Sequence, residues 1–229
     1  MYFMPFWQGK KGQNLNACRR WNGSLTKGGT CVTYFFFVCA EKILETLRTF
    51  VALVLPEDAC RVIEREQQDL ADKVSGVKWV DPCTVHMTLV FLGSTASAAI
   101  AKIGTVMRQA AEHCNPIAFT LQGIGAFPHT RSPKVLWAGI RNCNALLDLQ
   151  QQIAGGLAPL GFQKDKKQFQ PHITLGRVRD GSARSVLGTL LEKRQNQKYG
   201  EFMADRLVFV QSDLRPSGPV YTILQEIKL

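Results

Sequence analysis

Residues 83–93 read CTVHMTLVFLG, and residues 170–178 read QPHITLGRV. Each stretch carries a His-x-Thr-Leu tetrapeptide inside a run of apolar and β-branched residues, with the histidines at 86 and 172. Runs of this composition favour extended strands. In a strand, residues i and i+2 point to the same face. His86 and Thr88 therefore share one face, and Met87 and Leu89 the other. In the second copy His172 and Thr174 share a face opposite Ile173 and Leu175. The apolar pair would anchor each strand to its own lobe. The polar pair would look into whatever space adjoins it.

The chain around these strands repeats one rhythm. RTFVALVLP (48–56) reads as a strand ended by proline, and residues 57–76 as a helix opened by two acids and closed by Gly76. VKWV precedes the first His-Thr strand. Residues 94–114 follow it with helical spacing of Ile100, Ile103, Val106 and Met107, and with Ser94 or Thr95 as N-cap. IAFTLQGIGAF and KVLWAGI read as strands joined by the loop PHTRSP. Residues 145–161 read as a helix with Gly155-Gly156 as a weak point. HITLGRVR is a strand, residues 183–195 a helix, and ADRLVFVQSDL and VYTILQEIKL two closing strands around RPSG. Each half thus holds several strands, two helices and one His-Thr strand. The pattern predicts an α+β protein of two similar, pseudo-symmetric lobes rather than a doubly wound sheet. The two polar pairs would then face each other across one cleft.

The composition narrows the partners. The 229 residues carry a formal net charge of +10 and are 45% hydrophobic, enough for a real core and a preference for anions. Residues 1–47 hold six Lys/Arg against two acids, so the remainder is still basic by +6. Seven cysteines, with no C-x-x-C pair, argue against a disulfide framework or a zinc site and read as buried free thiols in a reducing, cytoplasmic setting. Residues 1–46 are rich in Gly, Asn and Lys without sustained periodicity. They read as a disordered or adventitious extension, and residues 47–229 as the folded domain. The apolar run Cys31–Ala40 is too short to span a bilayer as a helix.

Two facing imidazoles have an evident chemical use. Histidine's ordinary pKa of about 6.5 lets one ring be neutral and the other protonated near neutrality. The neutral ring can activate water, and the protonated ring can deliver a proton to a leaving oxygen. The Thr88 and Thr174 hydroxyls can hydrogen-bond to anionic oxygens between them. Arg177 would offer its planar donor fork to the same anion. Its odd offset from His172 puts it on the other strand face, so this role requires a bulge after Gly176. The expected reaction is in-line attack on a phosphodiester. No acidic residue flanks either motif in a zinc or two-metal pattern, and no nucleophile elbow or dinucleotide loop is present, so neither a metal nor a cofactor is expected. His113 and His129 read as ordinary surface residues, with His129 a candidate to line the cleft.

Paired His-x-Thr-x motifs resemble those of the two-histidine (2H) phosphoesterase superfamily. The segments LRTFVALVLPED, VKWVDPCTVHMTLVFLG, GIGAFPHTRSPKVLWAGI, FQPHITLGRVR and DRLVFVQSDLRPSGPVYTIL resemble, in order and spacing, the RNA 2′,3′-cyclic phosphodiesterases also called 2′-5′ RNA ligases. The resemblance runs from about Leu47 to the C-terminus. It implies a bilobal α+β fold with two antiparallel sheets flanking a central cleft. It also implies metal-independent hydrolysis of a terminal 2′,3′-cyclic phosphate to a 2′-phosphate, and in some members reversible 2′-5′ joining of RNA. By resemblance, His86 matches the proton donor to the 3′ leaving oxygen and His172 the proton acceptor that activates water. Thr88 and Thr174 match the phosphate-contacting threonines, and Arg177 the arginine that extends the second motif. Phe91 is a candidate for stacking on a base, with core packing as its equal rival. Leu47 sits where an initiating methionine would be expected, which implies an upstream start for residues 1–47.

The partner is then RNA with a cyclic phosphate end, with no membrane and no metal, bound by a monomer. Two alternatives stay open: a phosphodiesterase acting on small cyclic phosphates or 2′-5′ oligonucleotides, and a basic RNA-binding module without catalysis.

Overall fold

A computed structural model describes residues 46–163, 168–181, 184–216 and 218–229. The expectation for residues 1–46 concerns a segment outside the described residues, apart from Thr46, which begins the first strand. In chain order the elements are β1 (Thr46–Val54), α1 (Glu57–Ala71), β2 (Val77–Trp79), β3 (His86–Ala96), α2 (Ile100–Ala111), β4 (Ile117–Phe127) and β5 (Val135–Arg141). Then follow α3 (Asn144–Leu157), β6 (His172–Val178), α4 (Arg184–Arg194), β7 (Lys198–Ala204), β8 (Arg206–Arg215) and β9 (Gly218–Lys228). Two sheets result, ordered β3-β1-β8-β9 and β2-β6-β5-β4-β7. Every described strand pairing is antiparallel. The α+β architecture with two antiparallel sheets is therefore as expected.

The lobes are not the two halves of the chain. β2 comes from the first half but hydrogen-bonds to β6 in the second sheet. The C-terminal hairpin β8–β9 joins β1 in the first sheet. β7 is not among the strands expected from sequence, and it closes the far edge of the second sheet beside β4. One continuous apolar core joins both sheets to the helices. It includes Leu53, Met87 and Phe209 from the first sheet, Phe119, Leu136 and Ile173 from the second, and Ile63, Ile103 and Leu149 from helices. Phe50, Ala52, Val208 and Val210 form a separate small cluster, with Val54 and Tyr221 packed against it. The same strands of the first sheet thus bury both faces.

Three local expectations are corrected. Ser94 and Thr95 do not cap α2. β3 runs on to Ala96, where Ser94 and Thr95 pair with Arg48 and Leu47, and the Thr95 hydroxyl is buried against that of Thr49 at 2.7 Å. Cross-strand pairing outweighs local capping because it satisfies the whole backbone ladder. Gly76 does not close α1, which ends at Ala71. It turns the chain into β2 with φ of 77°, and its carbonyl accepts from the Arg179 and Asp180 amides.

Gly155-Gly156 is not a weak point, since α3 runs through both to Leu157. A Cβ on Gly156 would stand 2.6 Å from Val106 Cγ1 of α2, so this glycine permits the close packing of the two helices. A Cβ on Gly155 would meet nothing within 4 Å. The two neighbours should therefore respond oppositely to alanine. Gly156→Ala is expected to lower unfolding stability by roughly 1–3 kcal/mol through overpacking. Gly155→Ala should raise it by roughly 0.4–1 kcal/mol by restricting the unfolded chain. Denaturant unfolding of the two variants checks the difference in sign.

Candidate active site

β3 and β6 pack beside each other and begin with the two histidines. The alternation expected from sequence holds over the first four residues of each strand. Met87 and Leu89 are buried while His86 and Thr88 are half-buried; Ile173 and Leu175 are buried while His172 and Thr174 are half-buried. The Nδ1 of His86 lies 2.9 Å from the Thr84 carbonyl, and the Nδ1 of His172 lies 2.7 Å from the Gln170 carbonyl. A carbonyl only accepts, so each Nδ1 carries the proton and each Nε2 is left for chemistry. In both copies the partner carbonyl sits two residues before the histidine.

The regular alternation stops at the same place in both motifs. In β3, Thr88 pairs with Ala52 but Val90 pairs with Val51, so Leu89 has no partner. In β6, Thr174 pairs with Trp137 but Gly176 pairs with Leu136, so Leu175 has none. Each is a β-bulge, in which one extra residue moves the side chains that follow it to the opposite face. Arg177 pairs with Val135, two residues from Trp137, and so lies on the same face as Thr174 and His172. The bulge required for Arg177 is present. Gly176 suits it, because a Cβ there would lie 2.8 Å from Val77 Cγ1 of the adjoining β2.

The matching bulge in β3 acts on Phe91. It pairs with Phe50, two residues from Ala52, and thus shares the face of Thr88 and His86. Phe91 is 55% exposed and does not pack in the core. Strict alternation from His86 puts it on the buried side, and the sequence holds no separate signal for the bulge in β3.

Each histidine rests on aromatic rings. Phe50 stacks on His86 with centroids 4.7 Å apart, and Tyr221 meets it edge-on at 5.2 Å. Phe127 meets His172 edge-on at 5.0 Å and packs against Trp137. Burial among these rings holds the His86 pKa below its ordinary 6.5, with the Thr84 carbonyl acting weakly in the other direction. Burial raises the Tyr221 hydroxyl's pKa, and the guanidiniums of Arg177 and Arg48 pull it back. Arg177 from the second sheet thus lies in the electrostatic field of the tyrosine that touches His86 in the first.

Beside His172 opens a cavity of about 1130 Å³, lined by Phe91, Phe127, Phe162 and Phe169, by five glutamines and by Lys134. None of its described lining residues is acidic. Its volume lies at the upper end of the roughly 300–1,000 Å³ of pockets that enclose a drug-sized ligand. His113 and His129 are exposed, and His129 is not among the lining residues. Among the described residues no group of three or more His, Cys, Asp and Glu side chains is placed to hold a metal ion. No described helix is long and apolar enough to cross a membrane. Of the described thiols only Cys143 is buried; Cys83 is exposed, and Cys60 and Cys114 are intermediate, which corrects the expectation of uniformly buried cysteines.

Two antiparallel sheets presenting paired His-Thr faces define a two-histidine phosphoesterase fold, and comparison with known proteins agrees. The family model of the 2′-5′ RNA ligase superfamily matches residues 55–216, and the chain belongs to that superfamily. The RNA 2′,3′-cyclic phosphodiesterase of Aquifex aeolicus is 31% identical over 188 residues, which cover 81% of this chain and 99% of that protein. The protein of the same name from Methanothermobacter thermautotrophicus is 30% identical over 80% of this chain and 99% of its own length. The crystal structure of a protein from Thermus thermophilus superposes with a TM-score of 0.70 at 28% identity, covering 80% of this chain and 98% of that one.

If the aromatic rings set the protonation of His86, its titration midpoint by NMR should fall below 6.5 and move upward in Phe50→Ala, where water reaches the ring. An unchanged midpoint in that variant would remove Phe50 as the cause.

Proposed function

We propose that the protein hydrolyses RNA 2′,3′-cyclic phosphate ends to 2′-phosphomonoesters without a metal, using His86 and His172 as an acid and base pair. One observation carries the reading: both histidines are held by Nδ1 on a backbone carbonyl, with a threonine beside each on the same strand face. His172 would accept a proton from water through its neutral Nε2 as the water oxygen bonds to phosphorus. His86 would give its Nε2 proton to the 3′ oxygen as the P–O3′ bond breaks, leaving a 2′-phosphate and a 3′ hydroxyl. Thr88, Thr174 and Arg177 would bind the phosphoryl oxygens between the rings, and the exposed ring of Phe91 would stack on a base. The acid and base labels follow the family resemblance, since the strand geometry is the same around both rings.

A 5′ hydroxyl taking the place of water at His172 would instead form a 2′-5′ linkage, and the reverse step would break one. The open cavity beside His172 leaves room for such a strand. We assign the activity to residues 47–229, and a monomer would suffice for it, since one chain carries both histidines and both threonines. A cytoplasmic location is in keeping with the free thiols at Cys60, Cys83, Cys114 and Cys143.

The test is incubation with an RNA ending in a 2′,3′-cyclic phosphate in the presence of a chelator. A 2′-phosphate product is expected, with His86→Ala and His172→Ala each reducing kcat by about 10²–10⁴-fold. Salt-sensitive RNA binding without turnover at any neutral pH would replace this reading with that of a binding module.

The pH dependence has a defined sign. Burial disfavours the imidazolium of His86, so in the free protein the proton donor is lost at lower pH than for an ordinary histidine. The alkaline limb of kcat/KM should therefore fall below pH 6.5. A bound phosphate favours the imidazolium, so the same limb in kcat should lie at higher pH. If the low-pH shift appears on the acidic limb instead, His86 is the base and the two roles are exchanged.

A further inference from the structure

The face of the first sheet that carries His86 continues along β1 beyond the histidine motif. The cross-strand register places Thr88, Ala52 and Val208 in one row, and Phe91, Phe50 and Val210 in the next. Arg48 precedes Phe50 by two residues in β1 and shares its face, and its Nη1 donates to the Ser212 hydroxyl at 3.0 Å. Ser212 is itself 4% exposed and pairs with Tyr221 in β9. The Arg48 guanidinium lies over the Phe91 ring, 4.6 Å from its centroid. Arg48 is thus a fixed cation at the exposed end of this otherwise buried face, beside Phe91.

No acidic side chain among the described residues accounts for that cation. Arg61, Arg194, Arg206 and Arg215 each pair with a carboxylate, whereas no carboxylate among the described residues lies within ion-pair distance of Arg48. Its hydrogen bond to Ser212 and its stack on Phe91 leave part of the donor fork available. Arg48 also lies six residues along β1 from Val54, the cross-strand partner of His86. That is roughly 20 Å of extended chain from the row of His86 and roughly 13 Å from Ala52, the partner of Thr88, so Arg48 lies beyond the row that would hold the first phosphate. One face of Phe91 is taken by Arg48, and the ring's 55% exposure leaves the other open.

We propose that Arg48 is a second phosphate-binding residue, holding the internucleotide phosphate that precedes the cyclic phosphate end, while the open face of Phe91 takes a base. The preferred substrate is then a single-stranded RNA end of two or more nucleotides and not a free cyclic mononucleotide. Stacking and backbone charge together are the usual means of holding single strands without reading their sequence. The proposal rests on the phosphodiesterase reading above, and its test separates the two.

Wild type, Arg48→Gln, Arg48→Lys and the control Arg61→Gln are assayed on a cyclic mononucleotide and on a trinucleotide with a cyclic phosphate end. Binding of a fluorescent trinucleotide ending in a 2′-phosphate is titrated in parallel at several salt concentrations. Arg48→Gln should lower kcat/KM for the trinucleotide about tenfold, chiefly through KM, and so reduce its preference over the mononucleotide. It should also reduce the slope of log affinity against log salt by about 0.7, the value of one phosphate contact on a single strand. Arg48→Lys should restore the slope, and Arg61→Gln should alter neither quantity. An unchanged slope in Arg48→Gln, or an equal loss on both substrates, overturns the role given to Arg48. Arg48-dependent binding by a wild-type protein that turns over neither substrate overturns the phosphodiesterase reading and leaves Arg48 in place.

Discussion

One extra residue directly after each His-x-Thr sets which side chains share the face of each histidine. A β-strand alternates its faces, so without a bulge Arg177 would point away from His172 and Phe91 away from His86. The unpaired Leu89 and Leu175 shift the phase in both strands at the same motif position. Both leucines still reach the core, at 3% and 1% exposure, so the bulge does not sacrifice the apolar anchor. The face of His86 gains an aromatic ring and the face of His172 a guanidinium. The pseudo-symmetry of the motifs therefore extends beyond the histidines, and the two strands first differ in chemistry at Phe91 and Arg177.

That difference breaks the equivalence of the two rings. Both imidazoles are tied by Nδ1 to a carbonyl two residues back, and both rest on aromatic side chains. Their first neighbours therefore do not make one the acid and the other the base. The surroundings do differ. His86 is sandwiched by Phe50 and Tyr221 over a second apolar cluster, whereas His172 borders the large open cavity. Burial favours the neutral form of His86, and an anion between the rings acts in the opposite direction. Under the proposed reading a phosphate would thus help create the protonation state needed to cleave it, and substrate binding and acid catalysis would be linked events.

Much of this was legible in the sequence because it depends on period and local composition. The two-residue period of HMTL and HITL fixed which side chains would share a face, and Arg177 required a bulge that Gly176 could accommodate. The failures have a common physical cause: long-range pairing outweighing local signals. Ser94 and Thr95 carry strong capping chemistry, but β1 offers them backbone partners and a buried hydroxyl pair with Thr49. Gly155-Gly156 marks weakness when α3 is considered alone and close packing once Val106 is opposite. The exchange of β2 and of the β8–β9 hairpin between halves leaves no local trace, because a strand's composition does not name its partner.

The exchange of strands has a functional consequence. β2 ties the first half of the chain to β6, the strand bearing His172 and Arg177, while β8 and β9 bring Ser212 and Tyr221 to the face bearing His86. Neither histidine's surroundings can therefore be assembled from its own half of the chain. Lys78 pairs with Arg177 in backbone register, and Trp79 with Gly176 at the bulge. The core likewise runs uninterrupted from Met87 and Leu89 behind one histidine to Ile173 and Leu175 behind the other. Two separately folded lobes would be free to shift about a hinge and change the spacing of the imidazoles. Interleaved sheets on a shared core resist that motion, because moving one histidine strand against the other would disturb close packing over the whole interior. Reaction geometry that needs an acid and a base on opposite sides of one phosphorus depends on that fixed spacing.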